Sequence, residues 1–171
     1  MNCVGNENNT EPTFEICNNC SPCKSINKGN FLDVIEVDAA SRTGVDGIRE
    51  IIDAVMYSPN NARFKVYIID EVHMLSNAAF NALLKTLEEP PENVKFIFAT
   101  TEIKKIPATI ISRCQRFDLQ RVDIDTLRTH LSKICESENI KFENDSLFQI
   151  CKASEGSVRD ALSLLDQAAS L

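Results

Sequence analysis

Val66-Tyr67-Ile68-Ile69-Asp70-Glu71-Val72-His73 sets four β-favouring residues directly before two adjacent carboxylates. A short continuous apolar run suits a strand buried on both faces, as in a parallel α/β sheet. Ligands of such sheets bind outside the carboxyl ends of the strands, where Asp70 and Glu71 emerge. One carboxylate there can hold Mg2+ through water, and its neighbour can orient or deprotonate an attacking water. The bland alternative is a strand that ends in acidic residues, one of them capping the next helix. The pattern by itself leaves both open.

The flanking sequence supplies partners for such a strand. Residues 31–38 read as a second strand, followed by a loop over residues 39–44 and a helix that starts near Val45. Val45, Ile48, Ile51, Ile52 and Val55 form its apolar stripe, and Ser58-Pro59 ends it. Ser41, Arg42 and Thr43 at that helix's start suit a phosphate, or ordinary capping. Ser76 is placed to cap a helix with the stripe Phe80, Leu83, Leu84 and Leu87, stopped by Pro90-Pro91, with Lys85 off the stripe and facing outward. Residues 94–99 read as a third buried strand ending in Thr100-Thr101, polar groups that sit beside Asp70 if the two strands are neighbours. Residues 110–114 give a turn, and residues 115–118 a short strand.

From Val122 the periodicity is helical only. Ile124, Leu127, Leu131 and Ile134 make one stripe; Leu147, Ile150 and Cys151 make a shorter one. Val158, Ala161, Leu162 and Leu165 make the third, capped by Ser157 after Gly156. Cys135 and Cys151 fit as small buried residues. The expected division is a cysteine-bearing segment over 1–30, an α/β domain over 31–120 and a three-helix domain over 121–171.

Cys3, Cys17, Cys20 and Cys23 form C-x13-C-x2-C-x2-C in a polar stretch ahead of any strand. Four thiolates at such spacing close a tetrahedral structural Zn2+ site with no open position for catalysis. A redox pair is expected near a βαβ pattern instead, and a disulfide needs an oxidising compartment. Met1-Asn2-Cys3-Val4-Gly5 lacks the basic start and apolar stretch of a signal peptide, and no apolar run reaches membrane-span length. The expectation is a cytoplasmic protein with no membrane partner. A formal net charge of −7 argues against a generally basic nucleic-acid binder, so any DNA contact has to be local.

Taken together, these motifs resemble the AAA+ ATPase core of the gamma/tau clamp-loader subunits of bacterial DNA polymerase III. The similarity runs through the cysteine cluster, Asp38-Ala39-Ala40-Ser41-Arg42-Thr43, Asp70-Glu71-Val72-His73-Met74-Leu75-Ser76, residues 81–91, Ser112-Arg113-Cys114 and Gly156-Ser157-Val158-Arg159-Asp160-Ala161. The resemblance implies an α/β fold: a P-loop-type parallel sheet with a zinc-binding insertion, followed by a three-helix lid. It further implies that Asp70 and Glu71 are the Walker B pair, for Mg2+ and the attacking water. Thr101 takes the position of sensor 1 near the γ-phosphate, and Arg159 that of sensor 2. Arg113 takes that of the arginine finger, which reaches a neighbouring subunit's ATP. Arg42, Thr43 and Lys85 match positions facing the DNA backbone inside the ring, where Gly44 replaces a basic residue of some relatives. The implied partners are other clamp-loader subunits in a hetero-oligomeric ring, the sliding clamp and primer-template DNA.

The family's G-x-x-x-x-G-K-[ST] motif, which cradles the phosphates, occurs nowhere in these 171 residues. The sheet is therefore expected to be incomplete, with ATP and Mg2+ held only by the complete subunit. A relative of another class, the non-hydrolysing delta-prime subunit, also carries a cysteine cluster and Ser-Arg-Cys. It lacks the Asp-Glu pair present here at Asp70-Glu71. An inactive fragment that retains ancestral motifs is the third alternative.

Overall fold

A computed structural model describes residues 1–5, 11–41 and 45–170, with backbone alone at 45 and 46. The chain divides into two compact units, Met1–Arg116 and Phe117–Leu171.

The first unit is built on three parallel strands, β1 (Val34–Asp38), β2 (Lys65–Asp70) and β3 (Val94–Phe98), in the order β1-β2-β3. The apolar run singled out in the sequence is the central strand. Its register sets Asp38 opposite Asp70 on one side and Phe98 opposite Ile69 on the other. Residues two apart share a face. Ile35, Val37, Tyr67, Ile69, Phe96 and Phe98 accordingly meet one core with α2 (Val45–Val55) and α3 (Asn77–Glu88). Ile48, Ile51 and Val55 from α2 and Phe80 and Leu83 from α3 are buried in it, each side chain worth about 1.5–3 kcal/mol on leaving water. Tyr67 stacks on Phe96 at 5.4 Å between ring centroids, and Phe96 on Phe98 at 5.9 Å. The opposite face is less covered than a continuous apolar run predicts: Val34 and Ile68 are half-buried and Ile97 is 43% exposed.

Helix limits follow the expected signals. The Ser76 hydroxyl accepts from Ala79 N at 3.2 Å, and α3 stops at Glu88, ahead of the two prolines. Three expectations fail. β1 begins at Val34, because residues 31–33 are spent on a turn closed by Val34 N to Phe31 O at 3.1 Å. Asp33 is buried there, and its carboxylate accepts three backbone N–H bonds, from Asn60 (2.9 Å), Asn61 (2.9 Å) and Ala62 (3.1 Å). Residues 115–118 form no strand; they follow the short helix α4 (Ala108–Ile111) as exposed irregular chain. The cysteine segment, read as a polar loop, contains a helix of two turns, α1 (Ser21–Asn27), with Pro22 in its first turn.

The second unit packs α5 (Ile124–Ser137), α6 (Asn144–Ala153) and α7 (Val158–Ala169) around Leu127, Leu131, Cys135, Leu147, Cys151, Ala161 and Leu165. Both cysteines are fully buried and burial raises their thiol pKa, in keeping with an apolar role. Asp123 caps α5 through Thr126 N at 2.9 Å and Ser157 caps α7 through Asp160 N at 3.2 Å. Gly156 has φ +79°, and a Cβ there would lie 2.7 Å from Val122 O and 2.8 Å from Arg121 Cβ. Only glycine fits that junction.

Asp33→Ala removes the buried carboxylate that accepts from three backbone N–H groups. The expected loss is about 3 kcal/mol in urea unfolding of the chain. A change under about 0.5 kcal/mol, the size usual at surface positions, would show that the turn stands without its carboxylate.

Candidate functional site

The carboxyl end of β2 carries the acidic pair into solvent. Asp70 is exposed at the level of Asp38 on the neighbouring strand, and its Oδ1 accepts from Glu71 N at 2.9 Å. Glu71 then takes a left-handed conformation, φ 46° and ψ 42°, which turns the chain into a 3-10 segment at Val72–Met74. That conformation costs an L-residue with a Cβ about 1–2 kcal/mol. It aims the Glu71 carboxylate at the segment that follows β3. Thr101 Oγ1 donates to Glu71 Oε2 at 3.3 Å, and His73 Nδ1 lies 3.2 Å from the same oxygen.

The His73 side chain is 7% exposed. Its Nδ1 is also 3.0 Å from Thr100 Oγ1, and its Nε2 is 3.5 Å from Glu102 Oε1. Glu102 N donates to Thr100 Oγ1 at 3.0 Å. Lys105 Nζ sits 2.7 Å from Glu102 Oε1, and that hydrogen bond, helped by the lysine's charge and by His73, holds the carboxyl below its ordinary pKa. The structure thus brings Asp70, Glu71 and Thr101 to one strand end, with His73, Thr100 and Glu102 around Glu71.

Arg113 follows α4 and is tied down on two sides. Its Nη2 pairs with Glu88 Oε1 at 2.5 Å, and its Nη1 donates to Thr109 O at 2.7 Å. Glu88 is the last residue of α3, one turn beyond the exposed Lys85. Arg159 belongs to the second unit and is exposed in the first turn of α7. Arg42 and Thr43 lie outside the described residues.

The Sγ atoms of Cys3, Cys17, Cys20 and Cys23 all lie within 4.8 Å of one another, and none is in a disulfide. Cys17 Sγ accepts from Asn19 N (3.4 Å) and Cys20 N (3.3 Å), and Cys3 Sγ from Cys17 N (3.5 Å). Backbone donors aimed at sulfur favour thiolate. Cys20 is lowered to about 6 by a backbone hydrogen bond at Cys23, whereas burial raises Cys23 to about 12. Four convergent sulfurs are a donor set that fits one tetrahedral metal ion. Asn2, 5% exposed, fastens this module to the sheet: its side-chain amide donates to Phe64 O at 2.8 Å and accepts from Phe64 N at 3.0 Å.

Sequence reasoning assigned no role to His73, Thr100, Glu102 or Glu88. His73 had a visible signal, two residues after Glu71 in the same motif. Glu88 had none, because nothing along the chain links it to Arg113.

A three-stranded parallel sheet ending in an Asp-Glu pair, with a separate three-helix unit, defines an AAA+-like architecture. A solved point mutant of RuvB from Thermotoga maritima has this fold, with TM-score 0.63 and 18% identity over 77% of this chain and 44% of that one. A Thermotoga maritima protein described as DNA polymerase III, gamma subunit-related, aligns with TM-score 0.53 and 26% identity over 73% of this chain and 43% of its own. Residues 1–123 match the family model described as DNA polymerase III, delta subunit. Residues 126–171 match that of the DNA polymerase III clamp loader subunit, ATPase lid domain. The chain is 57% identical over 152 residues (89% of its length) to DNA polymerase III subunit tau/gamma of Haemophilus influenzae. It is 58% identical over 159 residues (93%) to subunit tau of Bacillus subtilis, and 55% over 152 residues (89%) to subunit tau of Escherichia coli. The chain belongs to the DNA polymerase III clamp-loader subunit family and is similar to its tau and gamma members. It spans 22%, 28% and 24% of these three relatives.

In the metal-free chain at pH 7, limited alkylation is expected to mark Cys20 well before Cys23, since Cys20 is thiolate above about 6 and Cys23 stays a thiol. Lowering the pH through 6 should remove that selectivity. Peptide mapping that finds Cys23 modified first would contradict the arrangement.

Proposed function

We propose that this chain forms the Walker B, sensor 1, arginine-finger and lid part of a gamma/tau clamp-loader subunit. That subunit would use ATP binding and hydrolysis to load the sliding clamp on primer-template DNA. The observation that carries this is the Asp70-Glu71 pair at the end of the central parallel strand, with Thr101 hydrogen-bonded to Glu71 at 3.3 Å.

In this reading the exposed Asp70 carboxylate suits Mg2+ held through water, and Glu71 orients and deprotonates the attacking water. Thr101, linked to Glu71, is the group that senses the γ-phosphate, and Arg159 does so from the lid. No G-x-x-x-x-G-K-[ST] occurs in the 171 residues, so the phosphate cradle has to come from outside them, and this chain by itself is expected to bind ATP weakly. Arg42, Thr43 and Lys85 are proposed to face the DNA backbone. The ring's other subunits and the clamp are the proposed protein partners. Against the delta-prime alternative stands the acidic pair itself.

Arg113 is proposed to act in trans. A guanidinium inserted into a neighbour's site stabilises charge developing on the transferred phosphoryl group. Its pair with Glu88 is exposed and worth under about 1 kcal/mol, so docking against a neighbour can displace it at little cost.

Three outcomes are expected. In the whole subunit assembled into its ring, Glu71→Gln should retain ATP binding and lose DNA-stimulated hydrolysis; unchanged turnover would refute the Walker B assignment. Arg113→Ala should lower the neighbouring site's hydrolysis by about 10³-fold or more while assembly and thermal stability stay near wild type. Loss of folding, or full activity in an assembled ring, would remove the trans role. Metal analysis of chelator-free protein should find about one Zn2+ per chain through Cys3, Cys17, Cys20 and Cys23, lost in Cys20→Ser. Full occupancy in that variant would exclude the site.

A further inference from the structure

The group nearest the Glu71 carboxylate that has no part in the scheme above is His73. We propose that His73 is the positioning residue of Glu71: its Nδ1 proton, with the Thr101 hydroxyl, fixes one carboxylate oxygen and thereby sets the direction of the other. This rests on the assignment of Glu71 to the attacking water.

The geometry is specific. Thr101 Oγ1 (3.3 Å) and His73 Nδ1 (3.2 Å) converge on the same atom, Glu71 Oε2, which leaves Oε1 to meet a water. The imidazole meets polar groups at both ring nitrogens. Its backbone lies in the 3-10 segment Val72–Met74, closed by Met74 N to Glu71 O at 2.8 Å. Val72, 2% exposed, anchors that turn, and its N–H donates to Ala99 O at 2.9 Å. The ring meets Thr100 Oγ1 at 3.0 Å and Glu102 Oε1 at 3.5 Å, and Glu102 is held in turn by Lys105. Nδ1 faces a carboxylate and a hydroxyl oxygen that already accepts from Glu102 N. The proposed tautomer carries the ring proton on Nδ1, where it faces the Glu71 carboxylate at 3.2 Å, beside a Thr100 hydroxyl that can donate or accept.

A purely structural histidine is the competing explanation. Buried at 7% exposure, the ring needs some partner, and Thr100 alone satisfies Nδ1. What the positioning role adds is a use for the left-handed Glu71, φ 46°, whose carboxylate lies 3.2 Å from the ring of a residue only two positions on. The arrangement also gives the segment after β3 a handle on the general base. Thr100, Thr101 and Glu102 touch either Glu71 or His73, so a shift of that segment moves the carboxylate. General bases reward such control, since the proton acceptor must lie within hydrogen-bond reach of the water it deprotonates.

The test uses four forms of the whole subunit in its assembled ring: wild type, Glu71→Gln, His73→Ala and His73→Asn. Asparagine Nδ2 overlays imidazole Nδ1 and can donate to Glu71. His73→Ala is expected to lower kcat for ATP hydrolysis about tenfold with KM for ATP within about twofold of wild type, and His73→Asn to recover most of it. In the 171-residue chain, nitrogen-edited NMR should find the His73 proton on Nδ1, with its resonance displaced in Glu71→Gln. If Glu71→Gln itself turns over normally, the assignment of Glu71 fails and this proposal with it. If Glu71→Gln is dead but His73→Ala keeps kcat near wild type, the positioning role alone is overturned. It is equally overturned if alanine and asparagine lose kcat alike together with melting temperature, or if the ring carries its proton only on Nε2.

Discussion

β2 is held by a parallel ladder on each edge, to β1 from Val34↔Val66 to Asp38↔Asp70 and to β3 from Lys65↔Val94 to Ile69↔Phe98. Asp70, Glu71, Thr101 and His73 at the strand end depend on that double pairing. A one-residue slip of either ladder would move the strand end by about 3.3 Å and send alternate side chains to the opposite face. Such a slip would take Tyr67 and Ile69 out of the core that α2 and α3 complete. The apolar side chains therefore enforce the register, and the register places Asp70 beside Asp38 and the residues after Ile69 beside those after Phe98. Thr100 and Thr101 need no anchor of their own to meet His73 and Glu71; they arrive there because Phe96 and Phe98 are packed.

What can be read along the chain is what repeats along it. The central strand, the stripes of α2 and α3, the caps at Ser76 and Ser157 and the buried Cys135 and Cys151 follow from period, propensity and short-range signals. The four thiols at the N-terminus were legible by spacing, and the fold gathers them within 4.8 Å. The misses have one physical cause: polar groups that pair across long stretches of sequence. Residues 31–33 look like strand, yet Asp33 is committed to backbone donors 27–29 positions away. His73 meets Thr100 across 27 positions, Arg113 meets Glu88 across 25, and Asn2 meets Phe64 across 62. Propensity describes none of these. Residues 115–118 failed as a strand for a different reason: among the described residues no strand pairs with them.

The candidate groups fall into two mechanical classes. Glu71, Thr101 and His73 are braced by one another around a strand end. Arg113, Lys85 and Arg159 are surface side chains on or next to helices, and Arg113 is tethered there by an exposed pair and one carbonyl. That division fits their proposed duties. A general base has to be in place before the reaction, whereas a cation that answers to another molecule has to be cheap to release.

The left-handed backbone at Glu71 has a consequence for how this chain can change. Glycine would relieve the strain and asparagine would tolerate it, so selection for stability alone points away from the residue present. The chain instead keeps a strained glutamate at the end of the central strand of its sheet. Screens that rank substitutions by melting temperature would therefore favour replacing Glu71. They would select against the role proposed for Glu71 while improving the fold, the trade of activity for robustness that strain at such a position invites.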